Sequence, residues 1–436
     1  MDKSKCIIVN DLIANMRTEL NRLIDAPDKL IEFINSNLKP KDAEKKRFGE
    51  VFTPLKLINE MLDKLPTNVW TDKNLKWFEP ASGMGNFTIC IYMRLLEQLR
   101  SQFKSDNATK KHILDKMLYM SELNPKNILI CKQIFGVDYL NLHEGDTLTL
   151  DTQKEWGIKA FDIVVGNPPY NKPKNAGKKG GYGGTSLWDL FVVKSLEIWV
   201  KPKGYMLFIH PPSWRKPEHY LWEGLKAKQI IYLKIFTEKD SKKIFGCSTI
   251  VDYYVLQNVP IHKDTVIDAQ DGKIYQINLR DLNFLAGGAF DDIKKLSGKN
   301  EVLYSSSIYD TRRAYISTKK TLKNNLPVVH NMTKDGLGFV YSSENRGQFG
   351  VPKVILSFGR HQYPYNDWKG EYGMTQICFG LKINSREEGD RIVAAINSPK
   401  FKEILKYTKW STFQTDWRMF KYFSKSFPTF LVPEAD

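Results

Sequence analysis

The chain has 436 residues, of which 42% are hydrophobic and 26% are charged. This length suits two or three domains and excludes a disulfide-stapled miniprotein, and the apolar runs are far too short for a membrane-spanning helix. Lysine and arginine (65) outnumber aspartate and glutamate (49), and the resulting net charge of +16 leads us to expect a polyanionic partner.

The N-terminus and the cysteines bear on the compartment. The first twenty residues lack a continuous apolar stretch followed by a small-residue cleavage site, and the five cysteines include no CxxC pair. We therefore expect an intracellular, cytoplasmic protein that is not secreted and holds no structural zinc. A bacterial, phage or large-virus origin fits equally well.

The predicted elements begin with two short helices between residues 11 and 40, and then a charged link, KPKDAEKKR. GEVFTP opens the next segment, in which Thr53 is the expected N-cap and Pro54 the first residue of a helix. From there strands alternate with helices: the strands are LKWFEP, KMLYMSEL, FDIVVG, GYMLFIHPP, IIYLKIF and CSTIVDYYVLQ, and the helices between them are NFTICIYMRLLEQLR, NPKNILICKQIF, LWDLFVVKSLEIWV and HYLWEGLKAKQ. The alternation predicts an α/β fold with a Rossmann-like, doubly wound parallel sheet.

A composition shift between residues 259 and 274 marks the expected start of another domain. Residues 271–436 carry 25 basic and 17 acidic side chains and interleave them with aromatics, as in FGRHQYPYNDW and KYTKWSTFQTDWRMFKYF. The mixture suits contacts with phosphates and bases, although a core with a solvated lysine face would have the same composition. We predict an N-terminal helical segment (1–46), the α/β domain (47–260) and a mixed α+β domain (271–436).

A glycine turn and three acidic residues at predicted strand ends suggest a ligand. The turn EPASGMGNF contains Gly83 and Gly85, which permit close approach of backbone N–H groups, but it lacks the third glycine of the dinucleotide fingerprint. Glu79 lies at the end of the strand before this turn, Glu122 ends the next strand and Asp146 follows the third. Each acid alone is typical of a helix N-terminus, whereas three in register on successive strands favour a ligand site.

The hydrophobic strand FDIVVG ends in Asn167-Pro168-Pro169-Tyr170. Two prolines fix an extended backbone, so the Asn167 side-chain oxygen and the Pro168 carbonyl are able to accept hydrogen bonds from one planar amino group. Acceptors that favour a pyramidal, charge-developing nitrogen stabilise alkyl transfer to it without a strong general base. Tyr170 would stack on the substrate ring, which in duplex DNA requires base flipping. A proline turn that merely closes a strand is the structural alternative.

These motifs, in this order, resemble those of the gamma-class N6-adenine DNA methyltransferases over residues 47 to about 257. The resemblance implies a methyltransferase sheet, S-adenosylmethionine as methyl donor with no metal required, and double-stranded DNA as partner, with the C-terminal region reading the target. It also makes a restriction endonuclease acting on the same site a possible partner. By this likeness the cofactor-binding residues are Thr53, Glu79, Gly83, Gly85, Phe87, Glu122 and Asp146, and the catalytic residues are Asn167, Pro168 and Tyr170.

Further substrate contacts are expected from Pro169 and from Phe245, which lies in a segment similar to a later family motif but suits a core position almost equally well. The glycine-rich loop after NPPY offers Lys172, Lys174, Lys178 and Lys179 for phosphates, or is a solvated linker. Arg312, Arg313, Arg346, Arg360 and Arg418 are candidate readers of the target sequence.

Three other functions compete with this interpretation. NPPY also occurs in methyltransferases of protein glutamine and of ribosomal RNA amino groups, although the glutamine class would not explain the basic C-terminal region. An inactive DNA-binding subunit is a second alternative, and a methylase fused to a nuclease is a third, for which the sequence offers no convincing nuclease core. We predict a stand-alone site-specific adenine methylase.

Overall fold

The computed structural model describes residues 53–136, 141–172, 186–246, 249–359, 362–410 and 415–432. The predicted helices between residues 11 and 40 lie outside this part of the chain. Within it, one compact unit contains the residues up to Pro211 together with Gly224–Asp268 and Tyr275–Arg280, and the other contains Pro212–Glu223, Ala269–Ile274 and the residues from Asp281 onward. The predicted domain boundaries stay predictions.

The first unit is built on a nine-stranded sheet with the strand order β3-β2-β1-β4-β5-β7-β6-β8-β9. The pairings from β3 to β5 and between β6 and β8 are parallel, whereas β7 runs antiparallel to both of its neighbours. The predicted doubly wound α/β sheet is thus confirmed. The strands are β1 (Trp77–Glu79), β2 (Leu118–Glu122), β3 (Leu142–Glu144), β4 (Phe161–Gly166), β5 (Val200–His210), β6 (Lys228–Ile235), β7 (Asp252–Pro260), β8 (Thr265–Asp268) and β9 (Ile274–Ile277).

Helices follow most of these strands: α1 (Leu55–Leu62), α2 (Asn86–Leu99), α3 (Asp106–His112), α4 (Pro125–Phe135), α5 (Thr152–Trp156), α6 (Trp188–Lys194), α7 (Tyr220–Lys226) and α8 (Glu238–Phe245). Sequence analysis missed α3, α5 and α8, which are short and largely polar and so show no apolar periodicity. Their caps do carry a signal, since Ser105, Asp151 and Thr237 each accept a hydrogen bond from the first turn of the helix that follows.

Continuous apolar runs explain why the central strands are buried on both faces. Ile163, Val164 and Val165 of β4 are inaccessible to solvent, as expected for a parallel strand covered by helices on both sides. Phe78 of β1 stacks on Phe161 of β4, with 4.6 Å between ring centroids. The parallel register, in which Phe78 pairs with Val164, places the carboxyl ends of β1 and β4 side by side at one edge of the sheet.

The second unit contains two four-stranded sheets, ordered β10-β17-β14-β15 and β11-β13-β12-β16. Their strands are β10 (Val302–Leu303), β11 (Ile316–Ser317), β12 (Leu326–Thr333), β13 (Gly336–Ser342), β14 (Lys353–Ser357), β15 (Tyr365–Asp367), β16 (Gly373–Met374) and β17 (Cys378–Lys382). The helices are α9 (Phe290–Leu296), α10 (Arg386–Asn397), α11 (Pro399–Tyr407) and α12 (Phe427–Leu431). The expected mixed α+β character of this region is confirmed.

The aromatic side chains of the second unit divide into core and surface. Trp410, Phe420 and Phe423 from the stretch KYTKWSTFQTDWRMFKYF are buried, so for these three the core alternative holds and base packing is wrong. By contrast, Tyr365 and Trp368 from FGRHQYPYNDW are each more than one-third exposed.

No helix in the described ranges is long and apolar enough to cross a membrane.

Candidate active site

The carboxyl ends of β1, β2, β3 and β4 lie side by side, because these strands are parallel neighbours in the sheet. This edge brings together Glu79, Glu122, Asp146 and Asn167, as the sequence pattern predicted. Hydrogen bonds tie the strand ends to each other: Thr147 Oγ1 donates to the Pro80 carbonyl at 2.6 Å and lies 2.7 Å from Ser121 Oγ. The edge is therefore a fixed platform rather than a set of independent loops.

The glycine turn between β1 and α2 has two differently constrained glycines. Both have positive φ, +53° at Gly83 and +83° at Gly85, the residue that caps α2. A Cβ at Gly85 would lie 3.0 Å from the Phe135 ring, whereas a Cβ at Gly83 would meet nothing within 4 Å. Gly85 is thus required for packing and Gly83 faces open space, where a ligand is able to approach the backbone.

Glu79 is buried, and its carboxyl group is engaged inside the protein. Its Oε2 accepts hydrogen bonds from the backbone N–H and the hydroxyl of Thr88, at 3.0 and 2.5 Å. Burial raises the pKa of Glu79 to about 8, with a further contribution from the nearby Glu122 carboxylate. Both contacts secure the first turn of α2, the role the sequence analysis gave as the alternative to ligand binding.

Glu122 also holds the glycine turn between β1 and α2 in place. Its Oε2 accepts the Gly83 N–H at 2.7 Å, and its Oε1 accepts the Asn124 N–H at 2.7 Å where α4 begins. Asp146 is exposed and accepts the Leu148 N–H at 2.9 Å. Phe87 is buried on α2. Of the three acids, Asp146 is the most accessible to a ligand.

Asn167 follows β4 directly, and its side chain is oriented by Thr53. The Asn167 Nδ2 donates to Thr53 Oγ1 at 3.0 Å, and the Thr53 carbonyl accepts from Asn86 Nδ2 at 3.4 Å. Thr53 is buried, so it links the start of α2 to the NPPY motif. The prediction that Thr53 caps a helix is wrong: Pro54 occupies the N-cap position of α1 without a side-chain cap, because the Thr53 hydroxyl contacts Asn167 instead.

The rest of the motif is packed closely. Pro168 is buried, Pro169 is half-buried and Tyr170 is 7% exposed. The Tyr170 carbonyl accepts the Leu187 N–H at 3.1 Å, and Asn171 forms an isolated antiparallel bridge with Ser186. Lys172 is exposed, whereas Lys174, Lys178 and Lys179 lie outside the described residues.

Sequence analysis missed a buried histidine, His210, at the same edge of the sheet. Phe208 of β5 pairs with Gly166 of β4, so His210, two residues further on, ends β5 beside the NPPY motif. The His210 ring stacks on Trp188, with 4.3 Å between centroids, and its Nε2 lies 2.9 Å from the Tyr254 hydroxyl. The only sequence signal was a histidine at a strand end, which is weak by itself.

The other predicted contact residues lie elsewhere. Phe245 ends α8 and is half-buried, Arg360 falls outside the described residues, and Arg312, Arg313, Arg346 and Arg418 belong to the second unit. Among the described residues, no three histidine, cysteine, aspartate or glutamate side chains form a group suited to a metal ion.

Comparison with known proteins finds relatives of the segment that contains this site. Residues 30–181, which span the glycine turn, the strand-end acids and NPPY, match the family model N-6 DNA Methylase. This part of the chain is therefore similar to an N-6 DNA methylase domain. The resemblance that the motifs indicated is confirmed.

Other similar proteins align with more of this chain than residues 30–181. An uncharacterized adenine-specific methylase of Mycoplasma pneumoniae is 24% identical over 290 residues, which cover 48% of this chain and 67% of the relative. The type II restriction enzyme and methyltransferase RM.Eco57I of Escherichia coli is 20% identical over 437 residues, covering 83% of this chain but only 40% of that protein. Among solved structures, the ATP-dependent Type ISP restriction-modification enzyme LlaBIII bound to DNA has a TM-score of 0.53 at 13% identity and is matched by 82% of this chain over 35% of its own length. At this low identity, the similarity to LlaBIII shows a shared fold and nothing more.

Proposed function

We propose that this chain is a site-specific DNA methyltransferase that moves a methyl group from S-adenosylmethionine to N6 of an adenine flipped out of duplex DNA. The observation that carries the proposal is the hydrogen bond from Asn167 Nδ2 to Thr53 Oγ1. With its nitrogen directed to Thr53, the Asn167 amide presents its oxygen on the other branch, as an acceptor for an amino group. The two prolines that follow offer no competing N–H.

The residues around the glycine turn fit S-adenosylmethionine. The Asn86 Oδ1 is buried and has no hydrogen-bond partner among the described residues, and Gly83 leaves space for a close approach to its backbone. Together with the carboxylates of Glu122 and Asp146 these groups are mainly acceptors, and the ligand carries matching donors in its ammonium, ribose hydroxyl and adenine amino groups. When bound, S-adenosylmethionine supplies an electrophilic methyl group on its sulfonium. Transfer of this group requires no metal.

Each residue of the motif has a distinct task in this reaction. The exocyclic amine of adenine is a poor nucleophile because its lone pair is delocalised into the ring. Hydrogen bonds from this amine to the Asn167 oxygen and the Pro168 carbonyl strengthen as positive charge develops on nitrogen, so they lower the barrier selectively. The ring of Tyr170, with Pro169 beside it, would support the flipped base, and the methylated amine then loses its extra proton to water.

Three parts of the chain would contact DNA. The exposed Lys172 and the lysines after it would contact phosphates, Phe245 would pack against the base, and residues 271–436 would read the target sequence. Names of relatives such as RM.Eco57I support a place in a restriction-modification system, in which this chain would protect DNA from an endonuclease that acts on the same site.

The test is incubation of the purified chain with tritiated S-adenosylmethionine and, separately, unmethylated duplex DNA, a release-factor protein and ribosomal RNA. We expect N6-methyladenine in the DNA alone. Label only in protein or RNA would refute the DNA assignment, and no label in any substrate would support the inactive-subunit alternative.

Asn167 variants test the mechanism within the same assay. Asn167→Ala should bind S-adenosylmethionine normally but lose at least about a thousandfold in turnover, because transition-state contacts alone are removed. Asn167→Asp is the matched control, since it keeps an acceptor oxygen and should retain measurable turnover. Normal turnover in Asn167→Ala would remove Asn167 from the mechanism.

A further inference from the structure

Two exposed arginines of the second unit are held in fixed orientations by an acidic residue two positions earlier. Arg312 donates from Nε to Asp310 Oδ1 at 2.8 Å and from Nη2 to Asp310 Oδ2 at 2.5 Å. Arg346 donates from Nε and Nη2 to Glu344 Oε2, at 2.7 and 2.6 Å. In both cases the carboxylate occupies one side of the guanidinium group, so the end-on pair of nitrogens faces outward.

The buried Tyr309 links the backbone of Arg346 to the segment that carries Asp310, the partner of Arg312. Its hydroxyl accepts the backbone N–H of Arg346 at 2.8 Å and donates to the Gly347 carbonyl at 2.9 Å, and the next residue in the chain is Asp310. The Arg346 guanidinium also lies over the Tyr315 ring, 4.2 Å from its centroid. Two independent contacts therefore fix Arg346.

Exposure distinguishes these two arginines from a third of the same pattern. The side chains of Arg312 and Arg346 are 86% and 49% exposed, whereas that of Arg418, paired with Asp416, is only 27% exposed. Asp310 itself is just 6% exposed and lies behind Arg312. The first two pairs thus present a guanidinium outward, and the third is mainly structural.

An arginine paired in this way suits a base better than a phosphate. The carboxylate compensates its charge and repels a second anion, so the attraction to a phosphate is weak. Its planar fork, however, is already ordered, and the O6 and N7 atoms of guanine form a neutral, planar pair of acceptors that the fork matches. An arginine without a carboxylate partner keeps its full charge but is less ordered, so it suits a phosphate better than a base.

We propose, on the basis of the function proposed above, that Arg312 and Arg346 read guanine edges in the major groove of the target site. Arg313 provides the contrast: it is adjacent to Arg312 and exposed, but its neighbour two positions earlier is Thr311 rather than an acid. Arg313 would contribute to phosphate binding only.

The test is selection of bound sequences from a random duplex pool by the full chain, which reports on recognition without any methyl transfer. We expect the wild-type chain to select guanine at two or more fixed positions. Arg312→Ala should lose the preference at one of them by about tenfold or more, and Arg346→Ala at another, whereas Arg313→Ala should keep both. Asp310→Asn, which keeps Arg312 but weakens its anchor, should lose part of the same preference.

Salt dependence separates the two kinds of contact. Arg313→Ala should reduce the slope of log K against log salt concentration by about one, and Arg312→Ala should change it little. Unchanged sequence preference in both Arg312→Ala and Arg346→Ala, or a wild-type selection without guanine, would overturn the inference. Because the methylation assay is separate, loss of the proposed function would show there as unlabelled DNA.

Discussion

Replacement of Thr53 by valine should slow methyl transfer without weakening the binding of S-adenosylmethionine. Valine keeps the shape of threonine but removes the hydroxyl that accepts the Asn167 Nδ2 hydrogen bond at 3.0 Å. A buried amide donor that loses its acceptor costs about 1–3 kcal/mol, which corresponds to about 5- to 150-fold in rate if the cost appears in the transition state. Serine retains the hydroxyl and should restore most of the rate.

Single-turnover measurement of methyl transfer at saturating S-adenosylmethionine, together with calorimetric titration of that ligand, separates two roles for Thr53. If the hydroxyl positions Asn167, the valine variant has a lower rate at saturation and an unchanged dissociation constant. If the hydroxyl binds the cofactor, the dissociation constant rises and the saturated rate is normal. The positioning argument is refuted by the second pattern, or by a serine variant as slow as the valine variant.

Two further predictions concern Glu79 and the glycine turn. Because the pKa of Glu79 rises from 4.5 to about 8 on folding, the folded state binds its proton more tightly, and the free energy of unfolding should fall by up to about 5 kcal/mol as pH rises from 4.5 to 8. Glu79→Gln should lack this contribution in urea unfolding at several pH values, and parallel curves for the two proteins would contradict the assignment. Gly85→Ala should lower the melting temperature, since its Cβ would crowd Phe135 at 3.0 Å, whereas Gly83→Ala should melt within a few degrees of wild type but bind S-adenosylmethionine more weakly. Equal melting temperatures for the two alanine variants would show that Phe135 moves aside.

The sequence predicted the sheet edge well because its signals there are local. The apolar run of β4 and the two prolines after it specify a buried strand and its end without help from distant residues. Similarly, Glu79 and Glu122 each end a strand and Asp146 closely follows one, and parallel pairing then brings the three acids together. The order of the strands and the reversed direction of β7 depend on long-range pairing, which no local pattern encodes.

The function of individual side chains was harder to predict than their location. Glu79 lies where expected, but its carboxyl group bonds to Thr88, nine residues away, and that choice depends on how α2 packs. The Thr53 hydroxyl contacts Asn167 across 114 residues of sequence. Tertiary contacts of this kind decide between a capping residue and an active-site residue, and propensity alone favours the cap.

The bridge between Asn171 and Ser186 affects how this region tolerates changes in length. The bridge and the Leu187 N–H bond to the Tyr170 carbonyl fix both stems of the intervening segment next to the NPPY motif. Because these contacts hold the two stems together, residues inserted between them should scarcely disturb Asn167 or Tyr170. An affinity tag or a fluorescent reporter inserted at this point should therefore leave the catalytic motif in place.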